Sequence, residues 1–61
     1  MSVQTLYKEF AGIAIIDNVD DILVVHTENV YAVGITVCEG QCQFINGREC
    51  SSKILHEMLN I

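Results

Sequence analysis

VYAVGITVCEGQCQFI, residues 30–45, is the stretch around which the rest of the chain has to fit. Tyr31, Val33, Ile35 and Val37 recur at every second position, the period of a strand with one buried face. Glu39-Gly40 supplies a two-residue turn, and Gln41 to Ile45 returns as the second arm of a hairpin. Pairing Cys38 with Gln41 sets Val37 opposite Cys42 and Ile35 opposite Phe44, so that one face is continuously apolar. A slip of one residue would mix Val and Ile with Gln, and the pattern therefore specifies the register. The other face carries Ala32, Gly34, Thr36, Cys38, Gln41, Gln43 and Ile45. Its small side chains would let a helix or a second subunit come close, and Gly34 suggests close approach or a bulge.

Upstream, Ile13 to Asp17 and Ile22 to His26 are β-branched runs separated by the acidic spacer Asn18-Val19-Asp20-Asp21, and they read as adjacent strands. Before them Val3, Leu6, Tyr7 and Phe10 fall at i, i+3, i+4 and i+7, with Ser2 as N-cap and Gly12 beyond, which predicts a short helix. Downstream, Asn46-Gly47 is a strong turn signal, favoured where both central residues take positive φ. A two-residue turn there would set Glu49 opposite Phe44 on the apolar face, so Arg48 to Cys50 is expected to leave the sheet quickly. Ser51 or Ser52 then caps a last helix with Ile54, Leu55, Met58 and Leu59 on its apolar stripe and Lys53, His56, Glu57 and Asn60 off it. The expected fold is a single small α+β domain over residues 1–61. It has a short N-terminal helix, an antiparallel sheet of four to five strands, open or strongly bent toward a barrel, and a C-terminal helix.

The 61 residues are 51% hydrophobic and 18% charged, a composition that argues against disorder. A chain this short buries little core, and association is a common source of the missing stability, so a homo-oligomer is expected. The net charge is −5, and Lys8, Arg48 and Lys53 are the only Lys or Arg residues. That balance opposes neutralising many phosphates, so neither duplex nucleic acid nor an anionic membrane is an expected partner. The N-terminus lacks a positively charged region, and the apolar runs are far too short to span a bilayer, which makes the cytoplasm the expected location. Three cysteines, an odd number, fit reduced thiols better than a disulfide framework.

Several constellations carry candidate chemistry. Cys38, Cys42, Cys50 and His56 have spacings that tetrahedral zinc uses, but the hairpin register sends Cys38 and Cys42 to opposite faces, so neither metal nor cofactor is expected. Asp17, Asp20, Asp21 and Glu28 fail as a calcium loop because Ile22 stands where glycine is needed. Phosphate loops, nucleophile elbows and metalloprotease motifs are absent; His26, beside Thr27 and Glu28, is the isolated candidate base, and no catalysis is expected. Arg48 and Lys53 instead bracket Ser51 and Ser52 at a helix start, where free N–H groups suit an anion.

These features lead to a non-catalytic, homo-oligomeric binding protein that sequesters a small anionic, nucleotide-like ligand at inter-subunit sites around Arg48, Ser51, Ser52 and Lys53. Tyr7, Tyr31 and Phe44 are the rings available to stack on a base. The alternative is an acidic inhibitor or adaptor aimed at a larger protein partner, with a small structural zinc module further behind.

Overall fold

The computed structural model describes residues 1–61. In chain order it contains α1 (Val3–Phe10), β1 (Ile15–Val19), β2 (Ile22–His26), β3 (Ala32–Cys38), β4 (Gln41–Phe44) and α2 (Ser52–Leu59). The four strands form one antiparallel sheet in the order β1-β2-β3-β4. This is a small α+β fold with an open sheet, since β1 and β4 are its edges and do not close into a barrel.

The central hairpin has the expected register, with Cys38 opposite Gln41, Val37 opposite Cys42 and Ile35 opposite Phe44. Glu39 and Gly40 both take positive φ, 53° and 77°, the geometry of a tight two-residue turn. The apolar face is narrower than the alternation suggests. Val33, Ile35, Cys42 and Phe44 are buried, whereas Tyr31 and Val37 at the two ends of the row are 51% and 43% exposed. Neither helix, at eight residues each, is long enough to cover the whole row.

β1 starts and ends two residues later than Ile13 to Asp17. The turn behind it is shorter than the acidic spacer implied. Asp20 and Asp21 alone make it, with φ of 51° and 65°, so Asn18 and Val19 stay in the strand opposite Leu23 and Ile22. Aspartate tolerates the left-handed region better than most residues, which is why this pair can replace the usual glycine. At the other end, Ile13 and Ala14 both donate their N–H to Phe10 O and remain part of the turn that ends α1.

Both helices lie on the same face of the sheet. Leu6 and Phe10 of α1, Leu55 and Leu59 of α2, and Leu23, Val25, Val33, Ile35, Cys42 and Phe44 of the strands join Cys50 in one core. Ser2 caps α1 as expected and Ser51, of the two serines considered, caps α2, their Oγ atoms accepting from Thr5 N and Ile54 N. The stripe of α2 is rotated from its sequence reading: Met58 is 37% exposed, while His56 turns inward and stacks on Phe10 with ring centroids 4.6 Å apart. An imidazole can present an apolar flank to a neighbouring ring, and the pair brings a residue of α1 against one of α2.

The Asn46-Gly47 turn also differs from expectation. Gly47 has φ 84°, whereas Asn46 does not take a positive φ. Gly47 N donates to Phe44 O at 2.8 Å and Phe44 N donates to Arg48 O at 3.0 Å, which makes Ile45-Asn46-Gly47 a three-residue loop. Arg48 N donates to Asn46 Oδ1 and holds the loop closed. The additional residue corrects the polarity: Glu49 comes opposite Gln43 rather than Phe44, and Cys50 returns to the core at 0% exposure.

Candidate functional site

The uncovered face of the sheet is the first consequence of placing both helices on one side. Ile15, Asp17 and Val19 of β1 share it with Ile22, Val24 and His26 of β2, because these residues pair with one another across the strands. From β3 it carries Ala32, Gly34, Thr36 and Cys38. A side chain at Gly34 would land on Ile45 Cδ1, so the missing Cβ lets Ile45 lie across the middle of this face with Ile22 beside it. The charged groups on it are Asp17 and His26, which pair at 3.0 Å between Oδ2 and Nε2, and Glu49, which stands beside Gln43 past the β4 edge.

Two clefts open at the end of the sheet opposite the hairpin turns Asp20-Asp21 and Glu39-Gly40. One, of about 570 Å³, is bordered by Gly12 to Ile15 and by His26 to Asn29. It contains the candidate base His26, already held by Asp17. Thr27 offers the only hydroxyl there, and its Oγ1 is buried without a hydrogen-bond partner.

The second cleft, of about 350 Å³, is more apolar and contains Arg48. It is lined by Tyr31 to Gly34 at the start of β3, by Phe44, Ile45 and Asn46 at the end of β4 and in the loop behind it, and by Met58 of α2. Arg48 has no carboxylate partner, since the one ion pair of the molecule is Asp17 with His26. Val30, which leads into this cleft, is 84% exposed and held at φ 76°, an uncommon conformation for a β-branched residue.

Of the four residues expected to bind an anion, Arg48 lines this cleft and Ser51, Ser52 and Lys53 do not. Ser51 Oγ is engaged as the N-cap of α2, and Lys53 is exposed on that helix. Of the candidate stacking rings, Tyr31 and Phe44 both reach the cleft, but Phe44 is 6% exposed and has little free face. Tyr7 stands on α1 and takes no part. Met58 and Ile45 were missed as lining residues by sequence reasoning. No spacing rule links them to Arg48, because a three-residue loop and the pitch of α2 bring them together.

The cysteines are divided as the register requires. Cys38 is exposed, and Cys42 and Cys50 are buried side by side on the core face. Burial pushes both buried thiols up, and for Cys50 the neighbouring Cys42 adds to the shift. No group of three or more His, Cys, Asp or Glu side chains is arranged to hold a metal ion, and no helix is long and apolar enough to cross a membrane. Compared with known families, curated proteins and solved structures, the chain matches no family model, no curated protein and no solved structure.

Proposed function

We propose that this protein is a non-catalytic, homo-oligomeric binding protein that captures an anionic ligand in the cleft between Tyr31 and Met58, with Arg48 as the counter-charge. The observation that carries this reading is an arginine without a carboxylate partner at the edge of an apolar cleft, in a chain with eight acidic residues that could have paired it. A guanidinium offers a planar fork of donors suited to carboxylate or phosphate, and the apolar lining lowers the local dielectric and strengthens the contact. A planar ring on the ligand would lie against Tyr31 rather than Phe44, because Tyr31 is the exposed ring of the two.

Titration calorimetry with inorganic phosphate, acetate and a nucleoside monophosphate tests the proposal. Arg48→Ala should weaken whichever anion binds by about ten- to a hundredfold, the loss expected for a desolvated charge-assisted contact. Rising salt should weaken it as well. Lys53→Ala, outside the cleft, should have little effect. Equal affinity in wild type and Arg48→Ala would overturn the reading.

A second reading, an inhibitor or adaptor for a larger protein, is favoured by the uncovered sheet face and by the acidic turns at Asp20-Asp21 and Glu39. An acidic surface raises the rate of association with a basic partner. Under that reading substitutions in the acidic turns, and not at Arg48, should dominate the loss of binding.

A further inference from the structure

β3 is longer than the strand beside it. Ala32, Val33 and Gly34 pair with His26, Val25 and Val24 of β2, but β4 ends at Phe44 opposite Ile35, and no strand continues alongside these three residues. In an antiparallel ladder the residues of a strand alternate between bonding to one neighbour and to the other. The tight turn at Glu39-Gly40 makes Cys38 and Gln41 a hydrogen-bonded pair, so Cys38, Thr36, Gly34 and Ala32 direct their N–H and C=O groups to the β4 side. Phe44 agrees with this parity, since its own N–H and C=O bond away from β3, to Arg48 and Gly47. Ala32 and Gly34 therefore present two N–H and two C=O groups to the notch, and none of the backbone bonds of loops and turns takes them up.

The notch lines the Arg48 cleft. Its three residues span roughly 10 Å at the rise of a strand. Unpaired ladder groups at a sheet edge are a template for another strand, and the rest of this sheet edge is covered. Met1 O accepts from Cys42 N, and Arg48 O from Phe44 N. β1, the other edge, is also unpaired, but it carries Asp17 and leads into Asp20-Asp21, with no Lys or Arg near it in sequence.

We propose that the cleft takes the free carboxyl end of an extended peptide, which adds to the short end of β3 while Arg48 holds its carboxylate. This deepens the reading of the cleft as an anion site and rests on it. Main-chain bonds to Ala32 and Gly34 supply affinity without regard to sequence, and Tyr31, Ile45 and Met58 offer apolar contact to the side chains. The terminal carboxylate complements the one cation of the cleft, whereas the acidic character of the remaining surface turns other anionic segments away.

The test uses the full chain and a pool of pentapeptides randomised at every position, in three forms: with a free carboxyl end, with an amidated end, and N-methylated at alternate residues. Acetate alone serves as the small anion, followed by chemical-shift titration. Amide hydrogen exchange should slow at Ala32 and Gly34 with the free-acid pool. Apparent affinity should fall at least tenfold on amidation and in Arg48→Ala, and protection should vanish on N-methylation. Acetate and peptide binding equally, with no protection at Ala32 or Gly34, would overturn strand addition and leave the anion site standing. Protection at Ile16 and Asn18 instead would move the peptide to the β1 edge and overturn it too. If neither acetate nor any peptide pool binds, both readings fall.

Discussion

Cys38 sits on the open sheet face, while Cys42 and Cys50 are 1% and 0% exposed in the core. Thiol chemistry needs the thiolate and access to it, and the two buried thiols are short of both. Iodoacetamide should therefore modify one thiol in the native protein and all three in denaturant, as read by intact mass. A native count of three would mean that the core side of β4 opens readily. The raised thiols also set a pH dependence. A group that holds its proton more tightly when folded stabilises the fold below its ordinary value, here 9.0, and the contribution is lost as pH rises through the higher folded value. Urea stability should thus fall above about pH 9, and a Cys42→Ala, Cys50→Ala double variant should lose that slope.

At the scale of single elements, the loop Ile45-Asn46-Gly47 does more than reverse the chain. Its extra residue puts Glu49 beside Gln43 and Cys50 in the core, and it keeps the backbone of residue 45 off the β3 ladder, which is what leaves the notch. The loop depends on φ 84° at Gly47, a conformation in which nothing crowds a Cβ but which L-residues resist for local steric reasons. Gly47→Ala should cost about 1–2 kcal/mol in urea unfolding. Gly12→Ala, at φ 77° behind α1, offers a comparison outside the cleft. If the loop shapes the notch, Gly47→Ala should weaken ligand binding as well, whereas Gly12→Ala should change stability alone.

For the whole molecule, the division between a covered and an uncovered sheet face governs association. Ile15 and Val19 are each 53% exposed and Ile45 62%, and they surround the half-buried Ile22 and Val24 on a face whose charges are the Asp17–His26 pair on the β1 side and Glu49 past β4. Two copies of a chain with net charge −5 repel at long range, so the apolar part of this face, across β1 and β2 and away from Glu49, is where they can meet. Val24→Asp should leave the fold intact and shift sedimentation at micromolar concentration toward a 6.8 kDa species, whereas Ile35→Asp, at 0% exposure, should unfold the chain. A wild-type protein that sediments as a stable 6.8 kDa species would remove the homo-oligomer from the proposal.

The sequence by itself determined the element order, the register of the central hairpin and the cap of α1, and it narrowed the cap of α2 to two adjacent serines. Each rests on interactions within a few residues: alternation along a strand, a two-residue turn, or a serine three positions before the N–H it accepts from. It also marked Arg48 as scarce charge, because composition alone reveals scarcity. Only the tertiary structure decided that both helices share one face, that His56 turns inward onto Phe10, and that Arg48 opens onto Tyr31, Ile45 and Met58 rather than onto Ser51, Ser52 and Lys53. These depend on distances between segments remote in sequence. They are set by one extra loop residue and by the rotation of a helix about its own axis, neither of which leaves a periodic trace in the chain.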